Sequence, residues 1–431
     1  MLARDTEVKN LLSEIDRLKD GLVKFCSDLV RIPSVNPSFP GIREEEFLGG
    51  EEACNHFIAK ELERVGMKVD LWDVIPRRTN LAGKLPRVGK GKSIALVGHI
   101  DTVPPGKLDD WTMPPYSGHV QDGRIYGRGA IDQKGGIAAS IFAVKALQKA
   151  EIELSGDIVL GSVVGEETMQ HEAGVTSFAK RGYKTDAAIV TESAEEIWYA
   201  QGGFLHMTLT VKGKYAHSFV RYELIRAGGK GSEVGVNAID KAFKIYSALK
   251  QLEEDWGFTK IHPLLPVGHS TIGANVIRGG PAEITAPYLI PETCQIEYAI
   301  WYPPHFQVDN IKKEIEQQVS HAAQLDPWLR DHPPKVEWKL HWPPYEIDSN
   351  HPIIKTVAAA QEQVTGKKAK PAACIAVDDA SFLVEAGVPA ISYGPGGAGL
   401  STAHAANEFV EIDDLVRAAK VFALSTLYWC S

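Results

Sequence analysis

SIALVGHIDTVPPG, residues 93–106, is the segment whose reading decides the fold. An apolar run, Ile94–Val97, is followed by His99 and Asp101 and then by a Pro-Pro-Gly turn. This reads as a strand that delivers two polar side chains at its end, both on the same face because alternate residues share a face. Similar runs flank it. VDLWDV (69–74) and GRIYGRGA (123–130) are short and β-rich, GGIAASIFAVKALQKA (135–150) is helix-like, and DIVLGSVVGEE (157–167) is strand-like again. Upstream, Leu11, Leu12, Ile15, Leu18, Leu22 and Phe25 recur at helical spacing, and a second helix is expected over about Glu51–Val65. Strand and helix alternating in this way predict an α/β layer architecture.

From Gln201 the texture changes. HMTLTVKG (206–213), TIGANVIRG (271–279), ETCQIEYAIWYPP (292–304) and KVEWKLHWPP (335–344) read as strands. GVNAIDKAFKIYSALKQLEEDWG (235–257) and IKKEIEQQVSHAAQL (311–325) read as helices. The order βαββαβ predicts a ferredoxin-like module inserted into the α/β domain. From Ile347 the chain returns to helix, the strand VPAISYG (388–394), a glycine-rich loop and a last helix. The expected organisation is a mixed-sheet catalytic domain, 1–199 and 347–431, split by a lid domain, 200–346.

The chain has 431 residues, which at roughly 150 per domain allows two or three domains. Its 46 basic against 55 acidic residues leave −9, so nucleic acid and anionic membrane are poor partners. Five dispersed cysteines, Cys26, Cys54, Cys294, Cys374 and Cys430, form no CxxC pair and read as reduced thiols of a cytoplasmic protein. No signal peptide or 18-residue apolar run is visible.

The polar residues at the strand ends carry the chemistry. His99 and Asp101 stand as a metal-ligating histidine and its orienting carboxylate would. Asp132, in YGRGAIDQKGG, sits at a strand–helix junction where an N-cap is the ordinary explanation. Glu166 and Glu167 end an apolar strand side by side and repel unless a cation or proton lies between them. Glu192, in AAIVTESAE, again ends an apolar strand, and His404 follows the loop GPGGAGLSTA. Such a set at the strand ends of one α/β sheet marks its crevice, and the mixed histidine–carboxylate donors suit Zn²⁺, with Co²⁺ or Mn²⁺ tolerable.

HIDTVPPG, GRGAIDQKGG, GEE, TES and AHAANE, in this order over the whole chain, resemble the co-catalytic zinc hydrolases: acetylornithine deacetylase, succinyl-diaminopimelate desuccinylase, the aminoacylases and the glutamate carboxypeptidases. The resemblance implies two Zn²⁺ per subunit bridged by Asp132, one completed by His99 and Glu192 and the other by Glu167 and His404. It implies Glu166 as general base, Asp101 as the partner of His99, and a lid that dimerises. His217, in VKGKYAHSF, resembles the family's lid histidine, which reaches the partner's active site as an oxyanion donor. The implied activity is that of a metal-dependent amidohydrolase on a small N-acyl or N-formyl amide.

The departures fall on substrate recognition. Gly202 and Gly203 stand where many members carry Arg-Gly, YAIWYPP (298–304) replaces an Asp-x-Arg pattern, and an asparagine expected within PAEITAPYLIPE (281–292) is missing. Arginine is the usual bidentate partner of a carboxylate; Arg221, Arg226 and Arg278 are the remaining candidates for that task. Trp198, Trp301 and Tyr302 are candidates to line an aromatic slot, against the simpler reading of core. The QGG segment (201–203), RAGGKGSEVGVNAI (226–239), STIGANVIRGG (270–280) and DPWLRDHPP (326–334) look most like the formylaminopyrimidine deformylase offshoot of the family. An acetylornithine-type deacetylase, an aromatic-amine aminohydrolase and an inactive metal-binding scaffold are the alternatives. A formal GxGxxG at Gly394, Gly396 and Gly399 is rejected as a dinucleotide site, which needs a βαβ unit, because only 32 residues follow Gly399 and His404 interrupts the expected helix start. The loop fits instead as a source of backbone N–H groups for a substrate oxygen.

Overall fold

The computed structural model describes residues 2–87, 89–225, 229–280 and 286–431. The chain separates into two compact units, Met1–Ala200 with Tyr345–Cys374 and Asp378–Ser431, and Gln201–Pro344 with Ile375–Val377.

The first unit is built on a nine-stranded mixed sheet. At its centre Ile158–Val163, Ile94–His99, Ala187–Val190 and Ala390–Ser392 run side by side and parallel. Every residue of these four strands is buried. That explains why they read as continuous apolar runs rather than as alternating ones. Each large aliphatic side chain so buried contributes about 1.5–3 kcal/mol, which holds the strand ends in fixed relation. Arg78–Leu85 adds antiparallel to Ile158–Val163, and Lys68–Ile75 to Arg78–Leu85.

Helices cover the sheet. Leu2–Val30 buries Leu11, Ile15, Leu22, Phe25 and Leu29, the stripe its periodicity predicts, with Leu12 and Leu18 half-buried at its margin. Gly135–Lys149 is apolar almost all round and is buried against Leu2–Val30 and the C-terminal helix Ile412–Cys430. The second helix spans Gly50–Arg64. All five cysteines are buried and free.

The second unit has the expected βαββαβ order. Gly203–Lys212, Thr271–Gly280, Thr293–Tyr302 and Lys335–Trp342 form one antiparallel sheet, with Ala238–Thr259 and Val308–Gln324 as its helices. Gly203–Lys212 and Thr293–Tyr302 lie at its centre and Thr271–Gly280 at one edge. Alternating residues of Thr293–Tyr302 are buried, among them Ile296, Tyr298, Ile300 and Tyr302, and pack with Ile245, Leu249 and Ile315 of the helices. Tyr302 is therefore core, with its hydroxyl 2.8 Å from His341 Nε2. Among the described residues no helix is long and apolar enough to cross a membrane.

Candidate active site

The parallel strands end on one side of the sheet, and the predicted ligands of the first unit gather there. His99 closes its strand, Glu166 and Glu167 follow Val163 by three and four residues, and Glu192 follows Val190 by two. Ala390–Ser392 leads through the glycine-rich loop to His404.

Asp132 is the hub. One carboxylate oxygen lies 3.2 Å from His99 Nε2 and the other 3.2 Å from His404 Nε2. His404 Nε2 also lies 3.0 Å from Glu167 Oε2. His99 Nε2 lies 3.8 Å from both Glu166 Oε2 and Glu192 Oε1. His99, Asp132 and Glu167 present ligand atoms within 4.8 Å of one another. The carboxylate that sequence alone would take for an N-cap thus faces two imidazoles at once.

The charges explain what this cluster needs. Burial raises the carboxyls of Glu166, Glu167 and Glu192, and neighbouring acids raise them further. Burial also raises Asp132, but hydrogen bonds to His404 and His99 overcome it and hold Asp132 far below the usual carboxylate range. His404, half-exposed, is pushed up to about 10 by its hydrogen bonds to Asp132 and Glu167. Four acids against two imidazoles leave an excess of buried negative charge that divalent cations would neutralise, and the donors are the mixed nitrogen and oxygen set such cations accept.

The surrounding bonds fix each ligand. His99 Nδ1 is 3.0 Å from the backbone oxygen of Asp101 and 3.6 Å from its carboxylate, which directs Nε2 at the acids. The Asp101 carboxylate is occupied elsewhere, accepting the N–H groups of Gly165 at 2.9 Å and Glu167 at 3.1 Å. Glu408, completely buried, accepts the N–H groups of Ile131 and Asp132 at 3.1 and 3.3 Å and pairs with buried Arg128. Gln133 donates to Glu192 and accepts from Thr191. Gly136 lets the following helix lie against this strand end, since a Cβ there would stand 1.9 Å from the Thr191 oxygen. Glu408, Gln133 and Arg128 lie inside the quoted motifs, but sequence does not distinguish them from solvated polar residues.

The second unit holds the remaining candidates. His217, exposed, closes the short strand Ala216–His217; its Nδ1 accepts the Phe219 N–H at 3.2 Å, and Phe219 and Tyr288 flank its ring. At Gly202 a Cβ would stand 2.4 Å from His269 Nε2, so a long side chain here would have to displace His269. Burial lowers the pKa of that imidazole. Arg278 is exposed and lies 3.4 Å from Glu297, and Arg221 is exposed. Arg226 and residues 281–285 lie outside the described residues. Trp301 packs on Phe204 and His269.

The family model of peptidase family M20/M25/M40 matches residues 95–427. The chain belongs to peptidase family M20/M25/M40. Two curated relatives support the match along the whole chain. The N-formyl-4-amino-5-aminomethyl-2-methylpyrimidine deformylase of Halalkalibacterium halodurans is 34% identical, covering 98% of this chain and 97% of its own. The deformylase of the same description from Bacillus subtilis is 32% identical, covering 99% of each. Among solved structures, the YXEP protein of Bacillus subtilis, a dinuclear metal binding peptidase from family M20, superposes with a TM-score of 0.64 at 15% identity. It covers 96% of this chain and 99% of its own. The M20 fold thus accounts for both units and for the position of the acidic crevice at the strand ends.

Proposed function

We propose that this M20 chain is a metal-dependent amidohydrolase that removes the formyl group from a small aminomethylpyrimidine amide. The observation that carries the reading is the full-length likeness to two deformylases on a chain that keeps a complete acid–imidazole cluster. The contact between Gly202 and His269 favours the same substrate class. The His269 imidazole stands where a side chain at position 202 would begin, so an amine half without a carboxylate suits this unit better than an amino acid.

In this reading Asp132 would be shared by two divalent cations, with His99 and Glu192 to hold one and Glu167 and His404 to hold the other; Zn²⁺ would be the first choice, with Co²⁺ or Mn²⁺ as substitutes. Bound cations supply a water of lowered pKa and a polarised scissile carbonyl. Glu166 takes the proton of the attacking water and delivers it to the leaving nitrogen. The C–N bond breaks, and formate and the free amine depart. Asp101 holds His99 and the loop that carries Glu166.

The second unit is proposed to act as a lid and dimerisation module, with His217 donating to the developing oxyanion in the partner subunit's site. In its support, His217 is exposed beside the exposed rings of Phe219 and Tyr288, an aromatic surface of the kind a partner covers. The strand Thr271–Gly280 lies at an edge of its sheet and exposes Val276 and Ile277.

The test is a turnover panel of the metal-loaded protein against the N-formyl aminomethylpyrimidine, N-acetylornithine, an N-succinyl amide and small dipeptides, with both products identified. Fast release of formate and the aminopyrimidine is expected. Turnover confined to N-acetylornithine would overturn the substrate, and ammonia released without an acid product would overturn the bond.

A further inference from the structure

Asn36 touches both arms of the metal cluster. It lies six residues beyond the first helix in Ser34-Val35-Asn36-Pro37 and is completely buried. A short parallel pairing places it: Val35 bridges Thr102, the Asn36 N–H donates to the Thr102 oxygen at 2.9 Å, and the Thr102 N–H donates to the Ser34 oxygen at 2.9 Å. This sets the amide beside the turn that follows His99. From there Asn36 Nδ2 donates to Asp101 Oδ2 at 2.7 Å and to Thr168 Oγ1 at 2.9 Å. Its Oδ1 accepts the Ser38 N–H at 3.0 Å.

Both hydrogens of the amide are therefore used, one on the residue whose backbone holds His99 and one on the residue that follows Glu167. Asp101 completes the link through the N–H groups of Gly165 and Glu167. The loop bearing Glu166 and Glu167 is thus tied to the His99 strand by a carboxylate with three donors, of which Asn36 is the side chain. Without Asn36, Asp101 Oδ2 keeps only the Glu167 N–H, and Thr168 loses its donor.

We propose that Asn36 is a positioning residue that holds the Glu166–Glu167 loop against the His99 strand and thereby sets how tightly the acidic cluster binds its cations. The proposal rests on the metal-hydrolase reading above. Outer partners of metal ligands typically change affinity or activity 10–100-fold.

The test uses the full chain, freed of metal and titrated with Co²⁺, followed by d–d absorption and calorimetry, with thermal melting alongside. Asn36→Ala is expected to weaken the Co²⁺ step that Glu167 and His404 serve by about 10–100-fold and to alter its absorption band. Thr168→Val, which removes one arm, is expected to weaken it less, and the two effects should not add because they share a bond. Asn55→Ala is the control: Asn55 is as buried but donates only to the backbone oxygens of Thr79 and Ser162. It should lower the melting temperature and leave Co²⁺ binding unchanged. Wild-type Co²⁺ affinity and spectrum in a folded Asn36→Ala protein would overturn the proposal. Should that variant fail to fold, unchanged Co²⁺ binding by Thr168→Val would overturn it. A wild-type protein that binds Co²⁺ tightly yet leaves the formyl substrate untouched would overturn the substrate reading and leave this test intact.

Discussion

His404, in a turn, and His217, at the end of a two-residue strand, both have solvent on one side, and their surroundings differ completely. His404 sits in a left-handed backbone turn, φ 62°. Its carbonyl accepts from Arg128 at 3.1 Å, and nearby Asn407 is fastened to Thr112 and Asp110 at 2.7 and 3.0 Å. Its ring meets two carboxylates of its own unit. His217 has a backbone N–H and two aromatic neighbours, and among the described residues no carboxylate meets its ring. In the proposed function His404 holds a cation, and its own unit preorganises it; His217 is proposed to meet the substrate only in an assembled enzyme, and it is left unencumbered. The division predicts which substitutions damage metal binding and which damage turnover alone.

Glu166 is the sharpest probe, because it belongs to the first region but is proposed to act in the chemical step. Glu166→Gln keeps the shape of the side chain and removes the base. A loss of about 10²–10⁴-fold in kcat is expected, with both cations still bound by elemental analysis. A kcat near wild type at full metal content would end the assignment.

Glu408→Ala tests how far the first region depends on its buried supports. The change takes from Arg128 its carboxylate partner and leaves it only the backbone oxygens of His404 and Pro104 in a site where both residues are about 1% exposed, and removing one member of a buried pair costs about 3–5 kcal/mol. Urea unfolding should report that loss together with weakened metal binding, since the N–H groups of Ile131 and Asp132 lose their acceptor. A loss below about 1 kcal/mol, the range of exposed pairs, would mean that Glu408 does not anchor the Asp132 turn.

His217→Ala should behave in the opposite way: kcat falls by about 10²–10³-fold, as for loss of one oxyanion donor, while stability and metal content stay at wild-type levels. Equal losses of metal from His217→Ala and His404→Ala would erase the contrast between the two histidines.

What could be read in the sequence follows the same division. The buried parallel strands announce themselves as apolar runs, and each ends on a side chain that apolar surroundings make conspicuous: His99, Glu166, Glu167 and Glu192. The βαββαβ order is equally legible, because Thr293–Tyr302 alternates and the two long helices carry 3.6-residue periodicity. Asn36, Gln133 and Glu408 are invisible at that level. They resemble ordinary loop polar residues until the fold brings them within hydrogen-bond range of the acidic cluster or of the residues beside it, as Gln133 to Glu192, Asn36 to Thr168 or Glu408 to Ile131. The glycines at 202 and 203 show a missing arginine in the sequence, but only the structure supplies the reason, His269 occupying the space. Short irregular strands such as Pro371–Cys374 carry too few residues for any period to register.

The proton on His404 gives the smallest effect and the most direct measure of what the first region lacks without metal. Its ordinary value is about 6.5, and the hydrogen bonds to Asp132 and Glu167 push it up to about 10. A raised histidine stabilises the folded state fully below about pH 6.5, and this contribution is lost as pH climbs towards about 10. The metal-free protein should therefore lose stability across that window by more than its His404→Ala variant does. A cation must displace the same proton, so apparent affinity should rise with pH over the same range, and calorimetry in buffers of different ionisation enthalpy should show protons released on binding. Binding without proton release near neutral pH would mean that His404 is already neutral in the metal-free state. Its contacts with Asp132 and Glu167 would then not be charge-assisted, and the excess negative charge of the cluster would have to be relieved by protons on the glutamates instead.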